Sequence, residues 1–154
     1  MSEETFNNIV AWLSATPEVK SIHLMGGEPT LHPEFEQFVL ALLSKDFHIS
    51  VFSNLATDQA QIYTEKMADL PIGWVVNINP PDGWPKKRKD KILKSLCYLG
   101  RRATITFNIM PDGDDSNWAI ELIKEYNLNR EIKVGFILPT VTGSNYALED
   151  EQYN

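Results

Sequence analysis

Five short apolar runs recur along this chain every 27 to 29 residues, and a helical pattern lies between each run and the next. The runs are SIHLM (21–25), ISVFS (49–53), WVVNI (74–78), TITFN (104–108) and KVGFIL (133–138), with Ile22, Ile49, Val76, Ile105 and Val134 at matching places. Runs of this length and composition read as strands. The spacing is that of a strand, a crossover helix and the next parallel strand, a connection that is right-handed almost without exception. An α/β protein with a parallel sheet is therefore expected, in the order αβαβαβαβαβ.

The helical segments carry their own signals. In SEETFNNIVAWL, Phe6, Ile9, Val10 and Leu13 fall on one face and Ser2 is placed to cap the start. Further helices are expected at about 34–45, 58–69, 86–99 and 116–126, the one at 86–99 burying Ile92, Leu93, Leu96 and Leu99. Two architectures fit the repeat, an open doubly wound sheet or an arc of a (β/α) barrel, and periodicity does not choose between them.

At 154 residues, 43% hydrophobic and 23% charged, the chain suffices for one well-buried core and one domain. Its net charge of -7 provides no broad basic field for phosphate backbones or anionic membranes, so no nucleic-acid or membrane partner is expected. The start MSEETFNN is acidic where a secretory signal is basic, and the longest aliphatic run, FVLALL at 38–43, is too short to span a bilayer. A single cysteine, Cys97, excludes an internal disulfide and any metal site built on several thiolates of this chain. A cytoplasmic location is the expectation that follows.

In both architectures ligands gather beyond the carboxyl ends of the strands, which directs attention to GGEPTLHP, NLAT, NPPDGWP, IMPDGDD and PTVTG. In the first of these, Gly26 and Gly27 admit a ligand against bare backbone, Glu28 adds a charge and Pro29 stiffens the exit. Such a turn suits an ammonium or amide group. A plain tight βα turn, with Pro33 opening the next helix, is the alternative for the glycines taken alone.

GGEPTLHPEF after an apolar strand resembles the GGEP motif of radical S-adenosylmethionine (SAM) enzymes, especially those similar to the molybdenum-cofactor cyclase family. The resemblance extends along nearly the whole chain: VVNINPPD looks like the family's fourth strand, and VGFILPTVTGSN like its sixth. It implies a partial (β/α) TIM-like barrel with five parallel strands, the first strand of the radical SAM core missing, over residues 1–139. Residues 140–154 would then form a polar acidic tail or the start of a linker. It also implies that the backbone from Gly26 to Pro29 holds the amino group of the SAM methionine, that Asn79 touches ribose, and that the backbone at Leu138 reads adenine. Asn54, after the next strand, is a further candidate.

The chain departs from the family at one decisive place. The family's CxxxCxxC, whose thiolates hold a redox-active iron–sulfur cluster, has no counterpart here. Cys97 lies within KILKSLCYLG in line with the apolar stripe and is expected in the core. By this resemblance the sequence is a fragment of a radical SAM enzyme whose cluster loop precedes Met1, inactive by itself. A short protein that kept the scaffold, a helper subunit of a cluster-bearing partner and a non-catalytic SAM- or nucleotide-binding module are the alternatives. An unrelated nucleotide or flavin domain lacks its usual glycine-rich turn here.

Other features have plainer expectations. DGDD at 112–115 precedes a helix and reads as capping. KKRK at 86–89 sits at a helix start, where cations oppose the dipole; a solvated run is expected, with an anionic contact as the alternative. His23, His32 and His48 show no zinc spacing, and His32 is expected to hydrogen-bond around the following helix start. Trp84 is a candidate for a substrate mouth. A missing first strand would leave SIHLM with an open edge, which predicts self-association.

Overall fold

The computed structural model describes residues 1–78, 86–109, 117–125 and 132–136. Helix α1 spans Glu3–Ser14, with the Ser2 hydroxyl accepting from the Thr5 N–H at 3.2 Å and Glu3 and Glu4 in the first turn. Phe6 and Leu13 are buried, and Phe6 stacks on Phe38 at 3.9 Å. Ile9, expected on the same face, is 41% exposed. At about 100° per residue it falls at the margin of the stripe through Phe6, Val10 and Leu13, beyond the part of α1 that rests on its neighbour.

Strand β1 is Ser21–Leu24, β2 His48–Ser53, β3 Ile72–Asn77, β4 Ala103–Ile109 and β5 Ile132–Phe136. Helix α2 is Phe35–Leu43, α3 Asp58–Lys66, α4 Lys86–Leu99 and α5 Asn117–Glu125. All strand pairings are parallel and the spatial order is β1-β2-β3-β4-β5. Ile49 and Val51 of β2, Ile72, Trp74 and Val76 of β3, and Ala103 and Ile105 of β4 form one buried set, which shares a core with Phe35, Val39 and Leu42 of α2 and Leu96 of α4. The alternate residues Ser50, Phe52, Val75 and Thr106 are half-buried on the other face.

Strand order answers what periodicity left open. A doubly wound sheet needs a reversal that sends helices to both faces, and right-handed crossovers in an unreversed order put every helix on one side. The described strands follow a singly wound course, without such a reversal.

The register corrects the repeat in one respect. Ile22 pairs with Ile49 and Val76 with Ile105, but Ile49 faces Ile72, and Ile105 faces Ile132. The strands slide by even steps, which keeps Ile49, Ile72, Val76 and Ile105 on the helix-covered face.

Ion pairs tie the helical layer together. Lys66 of α3 meets Glu36 of α2 at 2.6 Å, and Lys91 of α4 is paired with Asp58 at the start of α3. The expected stripe of α4 is buried at Ile92, Leu93, Leu96 and Leu99, with Ser95 beside it. Cys97 is exposed, contrary to expectation. It lies one helical step past Leu96, on the flank turned from the sheet, so its place in the apolar stretch KILKSLCYLG did not make it part of the buried face.

Candidate functional site

β1 ends at Leu24, and the turn that follows is held by Glu28. One carboxylate oxygen accepts from the Thr30 N–H at 3.3 Å, the Thr30 hydroxyl at 2.6 Å and the Ser53 hydroxyl at 2.9 Å. The other accepts from Ser53 at 2.9 Å and the Asn54 N–H at 3.2 Å. Pro29 opens a 3-10 turn over Pro29–Leu31. Glu28 therefore ties the loop after β1 to the end of β2, and Thr30, fully buried, lies 3.4 Å from the Thr57 hydroxyl that caps α3.

The loop after β2 is equally fixed. Asn54 accepts from the Ala56 N–H at 2.9 Å, and the Leu55 N–H donates to the Ser53 hydroxyl at 3.0 Å. Leu55 has φ 53, a left-handed conformation that costs a branched residue roughly 1 kcal/mol or more. Its side chain is fully buried, which holds the strained turn in place.

Between these loops lies a cleft of about 400 Å³ beyond the strand ends. Gly26 and Gly27 form one end, Ser53, Asn54, Asn77 and Thr106 provide polar groups, Phe52 and Val75 provide apolar wall, and Arg88 of α4 is the one charged lining residue described. A Cβ added at Gly26 or Gly27 would meet no atom within 4 Å. The bare backbone there faces open space, as close approach of a ligand requires. The volume is within the range of small-molecule sites.

Of the expected site residues, Gly26, Gly27 and Asn54 line this cleft, while Glu28 braces their loops and Pro29 starts the adjoining turn. Asn79 and Leu138 lie outside the described residues, as do Trp84 and DGDD at 112–115. Ser53, Asn77, Thr106 and Arg88 join the site without having been singled out for it. Asn77 is the last residue of β3, and Arg88 belongs to the run expected to be solvated.

His32 acts locally. Its Nδ1 accepts from the Glu34 N–H at 3.2 Å, and its Nε2 lies 3.0 Å from the Met1 carbonyl and 3.4 Å from the Met1 ammonium. Among the described residues no group of three or more His, Cys, Asp or Glu side chains is placed to hold a metal ion, and no helix is long and apolar enough to cross a membrane.

Asp58, outside the cleft, is held below the usual aspartate range by its hydrogen bond and charge interaction with Lys91, with a smaller contribution from Lys87. Its pairing links α3 to α4, the helix that carries Arg88.

No protein-family model matches the chain, and no curated protein does. Among solved structures, its fold is similar to SuiB of Streptococcus suis, with TM-score 0.69 and 15% sequence identity over 94% of this chain. The same likeness holds for SuiB bound to S-adenosylmethionine. The chain spans 36% of the SuiB chain, so the likeness concerns the fold of one part of that protein.

Proposed function

We propose that this chain is the SAM-holding part of a radical SAM enzyme domain, with the cofactor seated beyond the carboxyl ends of a partial barrel. The observation that carries the reading is the convergence of Gly26–Gly27, Asn54 and Asn77 on one cleft of a singly wound sheet. Similarity of fold to SAM-bound SuiB supports it.

The residues present fit SAM. The uncovered backbone of Gly26 and Gly27 takes the methionyl ammonium and Phe52 and Val75 exclude water along the methionyl chain, while Asn54 and Asn77 offer amides to the ribose hydroxyls, a role the sequence resemblance gives to Asn79 as well. The backbone at Leu138 pairs with the adenine edge in the same reading. Bound SAM supplies a sulfonium whose carbon–sulfur bond is the one broken in radical chemistry.

An iron–sulfur cluster does not fit these residues. The chain has one cysteine, Cys97, exposed on α4, where three thiolates are needed. Cluster ligands of the whole protein would come from outside these 154 residues, and this chain would bind and orient SAM. The same lack of thiolates favours a second reading, a non-catalytic SAM- or nucleotide-binding scaffold.

Equilibrium dialysis of radiolabelled SAM with the chain and with Gly27→Val tests the reading shared by both. Saturable binding, weakened about tenfold in the variant without a fall in thermal midpoint, is expected, since a Cβ at this position meets no protein atom within 4 Å. Absence of saturable binding at millimolar SAM sinks both readings. The two part on SAM cleavage by the whole protein under reducing conditions, which only the enzyme reading predicts.

Self-association is part of the proposal. Among the described residues β1 pairs on one side only, and Met25 and Trp12 nearby in sequence are 64% and 63% exposed. An edge of this kind recruits a second strand.

A further inference from the structure

We infer that the outer edge of β1, with the apolar pocket beside it, is the seat of an extended segment of a partner polypeptide, apolar at alternate residues and basic where it passes the carboxyl end of β1. The inference stands on this side of the molecule and does not depend on what the cleft holds.

The backbone of β1 has an unspent side. In a strand the N–H and C=O of one residue point one way and those of its neighbours the other. The Lys20 carbonyl accepts from the His48 N–H at 2.8 Å, so Lys20 and Ile22 direct their groups to β2. Those of Ser21 and His23 therefore point outward, where no strand pairs with β1 among the described residues. Such a row of free groups is the template for an added strand. The side chains agree. On the helix-covered face Ile49 and Val51 of β2 and Ile72 and Trp74 of β3 are at most 3% exposed, whereas Ile22 and Leu24 are only half-buried.

A pocket of about 360 Å³ adjoins this edge, lined by Leu24, Met25, Pro29, Phe6 of α1, and Phe35 and Phe38 of α2. Residues of an added strand that stand opposite Ile22 and Leu24 project to the same face as those two. Alternate apolar side chains of the segment thus enter the pocket.

Charge sets the end of the segment. The Met1 carbonyl lies 3.0 Å from His32 Nε2, so α1 and α2 begin side by side at the carboxyl end of β1. Glu3 and Glu34 line a second hollow there, which shares Phe6 and Phe38 with the apolar pocket. Neither carboxylate takes part in the ion pairs of the described residues. A Lys or Arg at that end of the segment complements them.

Helix α1 favours a bare segment over a second copy. Phe6 and Leu24 line one pocket, so α1 already covers the place beside β1. A second copy pairing through its own β1 brings its own α1 to that place, and helices about 10 Å across crowd over strands about 4.8 Å apart. Self-association is therefore the weaker use of this edge, and the segment displaces it.

The test is a titration of the full chain with the acetylated, amidated peptide Lys-Val-Thr-Val-Thr-Val-Lys, read by NMR shifts and by sedimentation. Saturable shifts of the Ser21 and His23 amides and of the Phe35 and Phe38 rings are expected, with a sedimenting mass of one chain plus one peptide. Ser in place of the peptide's Val should abolish binding, and Glu in place of its Lys should weaken it at least about fivefold. His23→Pro removes an outward N–H that β1 does not use in pairing with β2; proline is tolerated at such an edge, so the fold stays while affinity falls at least about tenfold. Glu34→Gln should weaken the Lys peptide about threefold and leave the Glu peptide no weaker. No saturable binding of the Lys peptide at millimolar concentration overturns the inference, as does unchanged affinity in His23→Pro. Equal binding of the Lys and Glu peptides overturns the basic end. A dimer that persists at saturating peptide gives the edge to a second copy and overturns the segment.

Discussion

Glu28 illustrates how one residue acquires a task that its sequence neighbours do not reveal. GGEP suggested a charge offered to a ligand; the folded chain turns that charge onto Ser53 and Asn54, 25 and 26 residues away, and onto Thr30. Thr30 and Ser53 are buried, so their hydroxyls depend on this acceptor. Glu28→Ala should cost about 2–4 kcal/mol in urea unfolding, because it orphans buried donors as well as deleting a charged acceptor. Weakened SAM binding should accompany that loss, since the variant loosens the Gly26–Gly27 backbone. A variant as stable as the parent would remove the bracing role. Gly26, Gly27 and Asn54 were readable as cleft residues because they follow the carboxyl ends of strands; Arg88 was not, because its inward placement depends on where α4 docks.

Helix limits were readable element by element, since caps and apolar stripes are local: Ser2 and Thr57 cap as their residue type allows, and α4 covers the expected 86–99. The contacts between helices were not. The pair Asp58–Lys91 joins α3 to α4 and lowers the aspartate's folded pKa below its ordinary 3.8. A carboxylate with a depressed folded pKa stabilises the fold above its unfolded value, and that contribution disappears as pH falls through the folded value. Thermal midpoints measured from about pH 6 down to pH 2.5 should therefore fall less steeply below 3.8 in Lys91→Met than in the parent. Equal acid slopes would show that the pair contributes nothing to α3–α4 docking. Cys97 teaches the complementary lesson, since apolar neighbours in sequence placed it one step outside the buried arc.

At the scale of the molecule, the side of β1 that is unpaired among the described residues predicts that the isolated chain dimerises at micromolar concentration. Sedimentation equilibrium should give twice the chain mass, and a Lys at Ile22 or His23 should shift the balance toward monomer. A clean monomer would show that this edge is covered by other means. The sequence by itself determined the α/β class, the parallel sense of the strands, the helix positions and the strand-end turn at Gly26–Gly27, because periodicity, caps and crossover length are properties of contiguous residues. Only the tertiary structure decided that the sheet is singly wound, that Ile49 stands beside Ile72 rather than Val76, that Glu28 braces two loops, and that Arg88 faces the cleft. Each of these depends on which segments become neighbours in space, and the free energy that selects those neighbours comes from packing distant residues together.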